Sequence, residues 1–211
     1  MSIATAQEPP LMNVPEFLGF LRSRPEEERW ELIEGIPMMV APPTIRHQRI
    51  ASNLERLLND TLRAQASPWR ADREIGLILT ASGYYRPEPE IAVVDADIDE
   101  EESHASRFYL VAEVISPGDE AGYDESGKSV IDIKLALYKS HVHNRCIVVI
   151  RQDRVEVAIH RRRSDGTWAD TPLVLTSLED ILELEDIGRV GTVGDVYAET
   201  SLGGPRGPAA T

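Results

Sequence analysis

Three residues in this chain stand where their types are expensive unless they have a task. Glu113 is embedded in LVAEVIS, with apolar neighbours on both sides. A run of that kind reads as a central strand buried on both faces, and carboxylates are rarely buried without a cation or a metal. Glu90 opens EIAVVD, directly after Pro89. Lys134 lies in a helical stretch at about 127–141. At about 100° per residue, Val130, Ile131, Leu137, Tyr138 and His141 fall within roughly 60° of it, while Ser129, Asp132, Lys139 and Ser140 fall on the opposite side. A lysine in the middle of an apolar stripe can snorkel outward, lose its proton, or pair with a buried carboxylate. Two inward acids on successive strands and an inward lysine on the next helix point to a metal site. Carboxylates holding Mg²⁺ or Mn²⁺ neutralise a phosphate and generate hydroxide near neutral pH, and a lysine stabilises the transition state or orients the water. Hard carboxylate oxygens favour those ions over zinc.

The elements that must position these groups are legible in outline. Asn13-Val14-Pro15 opens a short helix, PEFLGFLRSR. WELIEGIPMMVAPP reads as a strand, a turn and a second strand. Thr44 is a candidate N-cap for a helix over about 45–65. Its apolar stripe is Ile50, Leu54, Leu57, Leu58 and Leu62, with His47 projecting from the first turn on the same face. Strand signals follow at 73–80, 90–95 and 108–115. After the helix at about 127–141 comes a hairpin turning at Gln152-Asp153, then a strand near 171–176 and a capped turn at Ser177. This order predicts an α/β fold, a mixed central sheet flanked by helices.

Composition bounds the function. The chain has 211 residues, 42% of them hydrophobic, enough for a real core. No apolar run approaches the roughly 20 residues of a membrane span, and the N-terminus lacks the pattern of a signal peptide. One cysteine, Cys146, excludes an internal disulfide, and a reducing cytoplasm is the expected setting. The net charge of −14 opposes nucleic-acid binding. It is uneven, however: residues 145–163 hold six arginines against two acids. That stretch is either a local basic strip for a phosphate backbone or an arginine-rich, solvated strand edge.

The pieces ELIEGIPMMVAPPTIRHQRI, RPEPEIAVVD, LVAEVISP and KLALY together resemble the PD-(D/E)XK nuclease superfamily. More narrowly, the chain is similar over about residues 12–198 to the bacterial family of restriction endonuclease-like proteins. The resemblance implies a restriction endonuclease-like domain over 13–199 between flexible tails at 1–12 and 200–211, with Mg²⁺ dependence, DNA as substrate and often a homodimer. Glu90 takes the place of the first metal acid and Glu113 of the second, although Glu88 is an alternative to Glu90. Glu90 stands where Asp is usual, and Ile115 occupies the usual lysine position, so the family lysine corresponds to Lys134. His47 matches the histidine after APP, and Glu31 the acid of the opening ELI. Asp132 is left without a role, because it lies on the far helix face.

Other signals carry less. Asp95-Ala-Asp-Ile-Asp begins like a calcium loop but has Glu100 where Gly is required. His141 and His143 lack a third ligand at suitable spacing, and no phosphate-cradling glycine loop is present. Two function classes therefore compete: a Mg²⁺-dependent DNA endonuclease, and a nuclease-fold binding or interaction protein without catalysis. Hydrolysis of another phosphate-containing substrate is a third.

Overall fold

The structure is a computed structural model that describes residues 11–79, 83–120 and 127–204. The chain divides into two compact units: residues up to Pro42 together with Ile78–Pro87, and Pro43–Leu77 together with Glu88 onward. Most of the stretches read as tails fall outside the described residues.

In the smaller unit, helix α1 (Val14–Leu21) is started by its flanks. Asn13 accepts from the Glu16 amide while Glu16 reaches back to the Asn13 amide, and a proline stands in the first turn. The helix buries Val14 and Phe17 beside Leu32. Strands β1 (Trp30–Ile33) and β2 (Ile36–Met39) form an antiparallel hairpin with Ile33 opposite Ile36. Glu34 and Gly35 make its two-residue turn, both at positive φ (53° and 78°). That geometry matches the right-handed twist of the strands. The EGIP signal thus becomes the predicted turn.

The larger unit begins with helix α2 (Ile45–Ala64), capped by Thr44, whose hydroxyl accepts from the His47 amide. The predicted stripe is buried, and Ala51 and Asn53 join it. Asn53 donates to the Val196 and Ala198 carbonyls, tying the helix to the segment around Val193–Val196. Strands β3 (Trp69–Arg73), β4 (Gly76–Leu77), β5 (Ile91–Asp95), β6 (His104–Ala105) and β7 (Leu110–Ile115) follow, then a 3₁₀ turn at Pro117–Glu120 and helix α3 (Val130–Ser140). The chain ends with β8 (Cys146–Arg151), β9 (Val157–Arg161), β10 (Leu173–Leu175), the hairpin β11 (Ile181–Leu184) and β12 (Gly188–Thr192), and helix α4 (Val193–Val196).

Six strands make one mixed sheet in the order β10-β9-β8-β7-β5-β3. Only β7 and β8 run parallel, with α3 in their crossover. The central runs IAVVD, LVAEVI and CIVVIR are almost wholly buried, as expected of strands covered on both faces. Ile91, Val93, Leu110, Ala112, Val114, Cys146, Val148 and Ile150 pack with the α2 stripe. By the alternation of a strand, Val111, Glu113 and Ile115 face the other way, and there Glu113 meets α3.

The strand expected at 73–80 is corrected. Of its described part, Arg73 ends the preceding sheet strand and beyond it Gly76–Leu77 is extended, in a two-residue parallel pair with β6. The sheet strand lies earlier, over Trp69–Arg73. It is an edge strand, so its polar residues remain partly exposed and Arg70 pairs with Asp72 at its surface, which hides it from hydrophobic periodicity. Helix α3 starts at Val130 rather than near 127, because Ser129 caps it. The hairpin β11–β12, turned by Asp186 and Gly188 at positive φ, has no counterpart in the sequence reading.

Candidate active site

Glu113 sits in the second half of β7, with 5% of its surface exposed. The antiparallel register between β5 and β7 sets Ile91 opposite Ala112. Carried one residue further, it sets Glu90, just ahead of β5, opposite Glu113. Directly opposed residues in such a ladder have Cβ atoms roughly 4.5–5.5 Å apart. The register thus puts both acids at the same end of neighbouring strands, although 23 positions separate them in the chain.

Each acid has a nitrogen partner from a helix. Lys134 Nζ lies 2.8 Å from Glu113 Oε1, and both side chains are more than 90% buried. Of the three options open to an inward lysine, pairing is the one realised. His47 Nε2 lies 2.7 Å from Glu90 Oε1. The α2 N-terminus that carries His47 is pinned to the β8–β9 turn: Thr44 Oγ1 donates to Gln152 Oε1 and Arg46 to the Gln152 carbonyl. The Gln152 amide in turn donates to the carbonyl of Ile115, the last residue of β7. The cluster thus forms at the C-terminal end of the parallel pair, where open α/β sheets place their ligands.

A fifth side chain, outside the residues the sequence marks as the site, belongs to the cluster. Tyr138 donates its hydroxyl to the same Glu113 Oε1 at 2.6 Å. The available signal was its position four residues after Lys134 in KLALY, which puts both on one helix face. Glu31 does not share the larger unit. It stands on β1, buried, in register with Met38.

Other candidates resolve into structural roles. Asp132 completes a capping box with Ser129, and the Ser129 hydroxyl and amide hold its carboxyl below the usual range. His141 ends α3, stacks on Phe108 at 4.0 Å between ring centroids and bonds the Ser106 carbonyl. Burial pushes its pKa below the ordinary value. Asp95 accepts the Tyr109 hydroxyl and pairs with Arg107. Cys146 is buried, and burial pushes its thiol up to about 12.

The donor set fits a hard divalent cation. Among the described residues no group of three or more His, Cys, Asp or Glu side chains gathers to hold a metal. Glu90 and Glu113 are the carboxylates that would hold such an ion, since hard carboxylate oxygens suit Mg²⁺.

This mixed sheet with flanking helices has the restriction endonuclease-like fold. It is similar to the crystal structure of a putative nuclease from Anabaena variabilis ATCC 29413, with a TM-score of 0.62 and 19% sequence identity, covering 88% of this chain and 97% of that one. A model of the Uma2 family, described as "putative restriction endonuclease", matches residues 14–193. The chain belongs to that family. No match emerges among curated proteins.

Proposed function

We propose that this protein is a metal-dependent deoxyribonuclease that cleaves phosphodiester bonds at the Glu90–Glu113–Lys134 cluster. The observation that carries this reading is the pair of buried acids set opposite each other by the β5–β7 register, one of them bound to a buried lysine. A structural ion pair with Lys134 would need one acid, and a second, Glu90, stands one register position beyond the strand pairing with its own partner, His47.

Glu90 and Glu113 would hold Mg²⁺ or Mn²⁺, which when bound supplies charge neutralisation at the phosphate and a water acidic enough to attack near neutral pH. His47 holds Glu90 in place from the first turn of α2. Lys134 pairs with Glu113 and brings an ammonium next to the phosphate, where negative charge grows in the transition state. The lysine comes from a helix rather than from position 115. A capped helix presents it as rigidly as a strand would.

The test is nicking of supercoiled plasmid by the purified protein with Mg²⁺ or Mn²⁺. Wild type converts plasmid to the open-circle form, and Glu113→Ala does not. Absence of metal binding in wild type by calorimetry would sink the reading. A homodimer and a reducing, cytoplasmic setting extend it, and light scattering checks the dimer.

One observation favours the second reading, a nuclease-fold binding protein. All six arginines of 145–163 are engaged within the molecule: Arg145 with Asp186, Arg151 with Glu120 and Glu156, Arg154 with Glu156. Arg161 bonds the Glu183 carbonyl, Arg162 the carbonyls of His141, Val142 and Gly166, and Arg163 pairs with Asp170. On that reading Glu113→Ala would leave partner binding intact.

A further inference from the structure

Lysine alone is a poor device for orienting a carboxylate. Its ammonium is a compact charge with three rotatable donors on a flexible stem, so many carboxylate rotamers satisfy it equally. A phenol differs. Its oxygen lies in the ring plane, and a ring locked by packing fixes that oxygen in space.

Tyr138 has such a lock. It is fully buried. Its ring meets Phe108 edge to face at 6.4 Å, Phe108 stacks on His141 at 4.0 Å, and His141 Nε2 bonds the Ser106 carbonyl at 3.1 Å. Its own carbonyl accepts from Asn144 Nδ2 at 3.0 Å. A buttress therefore runs from the segment that leads into β7, through three rings in contact, to the hydroxyl at 2.6 Å from Glu113 Oε1. That distance is at the short end for a charge-assisted O–H···O⁻ bond. Lys134, one turn earlier on the same helix, donates to the same oxygen.

We infer that Tyr138 is a positioning residue for the metal-binding carboxylate: with the ammonium of Lys134 supplying charge, the phenol fixes the orientation in which Glu113 meets a divalent cation. The inference rests on the nuclease reading of the same cluster and adds a residue to it. It also explains why His141 and Phe108 are stacked behind Tyr138, which neither the metal acids nor the lysine requires. Groups that orient metal ligands in this way change metal affinity by about 10–100-fold when removed.

The experiment is Mn²⁺ titration by calorimetry, without nucleic acid, on wild type, Tyr138→Phe and Glu113→Ala, alongside thermal unfolding and plasmid nicking. Tyr138→Phe removes one hydroxyl and leaves the ring packing in place. The expected result is an Mn²⁺ Kd raised about tenfold or more, measured well below the unfolding temperature, with nicking reduced at sub-saturating metal and largely restored at high metal. A structural role alone would lower the unfolding temperature and leave Kd unchanged, and that result overturns the inference while the nuclease reading stands. Wild type and Glu113→Ala binding Mn²⁺ equally overturns the nuclease reading itself, and with it the role given to Tyr138.

Discussion

Two regions of the larger unit are built from charge pairs, and they differ in almost everything else. The hairpin β8–β9 and its flanks carry six arginines, and their partners are acids and carbonyls that are exposed or half-buried. The Glu113–Lys134 pair is enclosed between the sheet and α3, with Tyr138 as third member. Exposed pairs contribute little, because water and salt screen them and long side chains lose freedom in forming them. A buried pair costs desolvation of both ions and is no more stable than well-packed apolar residues of the same size. Arginine content alone therefore says little about phosphate binding here, whereas a single buried lysine points to a site.

The comparison is broken most directly by removing one partner of the buried pair. Glu113→Ala should lose about 3–5 kcal/mol in chemical denaturation, because Lys134 is left charged and enclosed. Combining Glu113→Leu with Lys134→Met should recover most of that loss while leaving plasmid nicking abolished. A double variant as unstable as Glu113→Ala would show that the pair is kept for stability after all.

A smaller effect comes from the hairpin, through a histidine. Burial lowers His160 on β9 to about 4, with Lys139 adding to the shift, and His141 is also lowered, chiefly by burial. The unfolded chain titrates its histidines near 6.5, so on acidification it takes up protons that the folded chain refuses. Their contribution to stability is complete above about pH 6.5 and declines as pH falls toward 4. His160→Gln should flatten the dependence of the unfolding midpoint on pH across that window, and an unchanged slope would assign it elsewhere.

The smallest effect is expected at Arg154, which is exposed and paired with Glu156 and Asp153. Arg154→Ala should leave the unfolding midpoint unchanged within error and leave nicking unaffected. A clear loss of DNA cleavage would make the arginine hairpin a phosphate-binding strip and erase the contrast.

Local physics wrote much of this protein into its sequence. Continuous apolar runs specify the central strands, since only two-sided burial suits them. The α2 stripe, the Thr44 cap and the Glu34-Gly35 turn are decided within a few residues of themselves. So is the inward direction of Lys134, because helix geometry places it among Ile131, Tyr138 and His141 whatever lies across from it. What the residues could not disclose is partnership. Strand β3 is hidden because an edge strand keeps polar side chains in water, and β11–β12 because its pairing depends on packing beneath α2. The alignment of Glu90 with Glu113 is a matter of register between strands 15 residues apart in the chain from the end of β5 to the start of β7, and only the closed sheet selects it. The hydroxyl of Tyr138, which in the sequence is one more residue on an apolar stripe, acquires a task only when α3 crosses over Glu113. Types and faces are local properties. Which acid meets which cation is set by chain closure over long loops, and that is a property of the folded molecule alone.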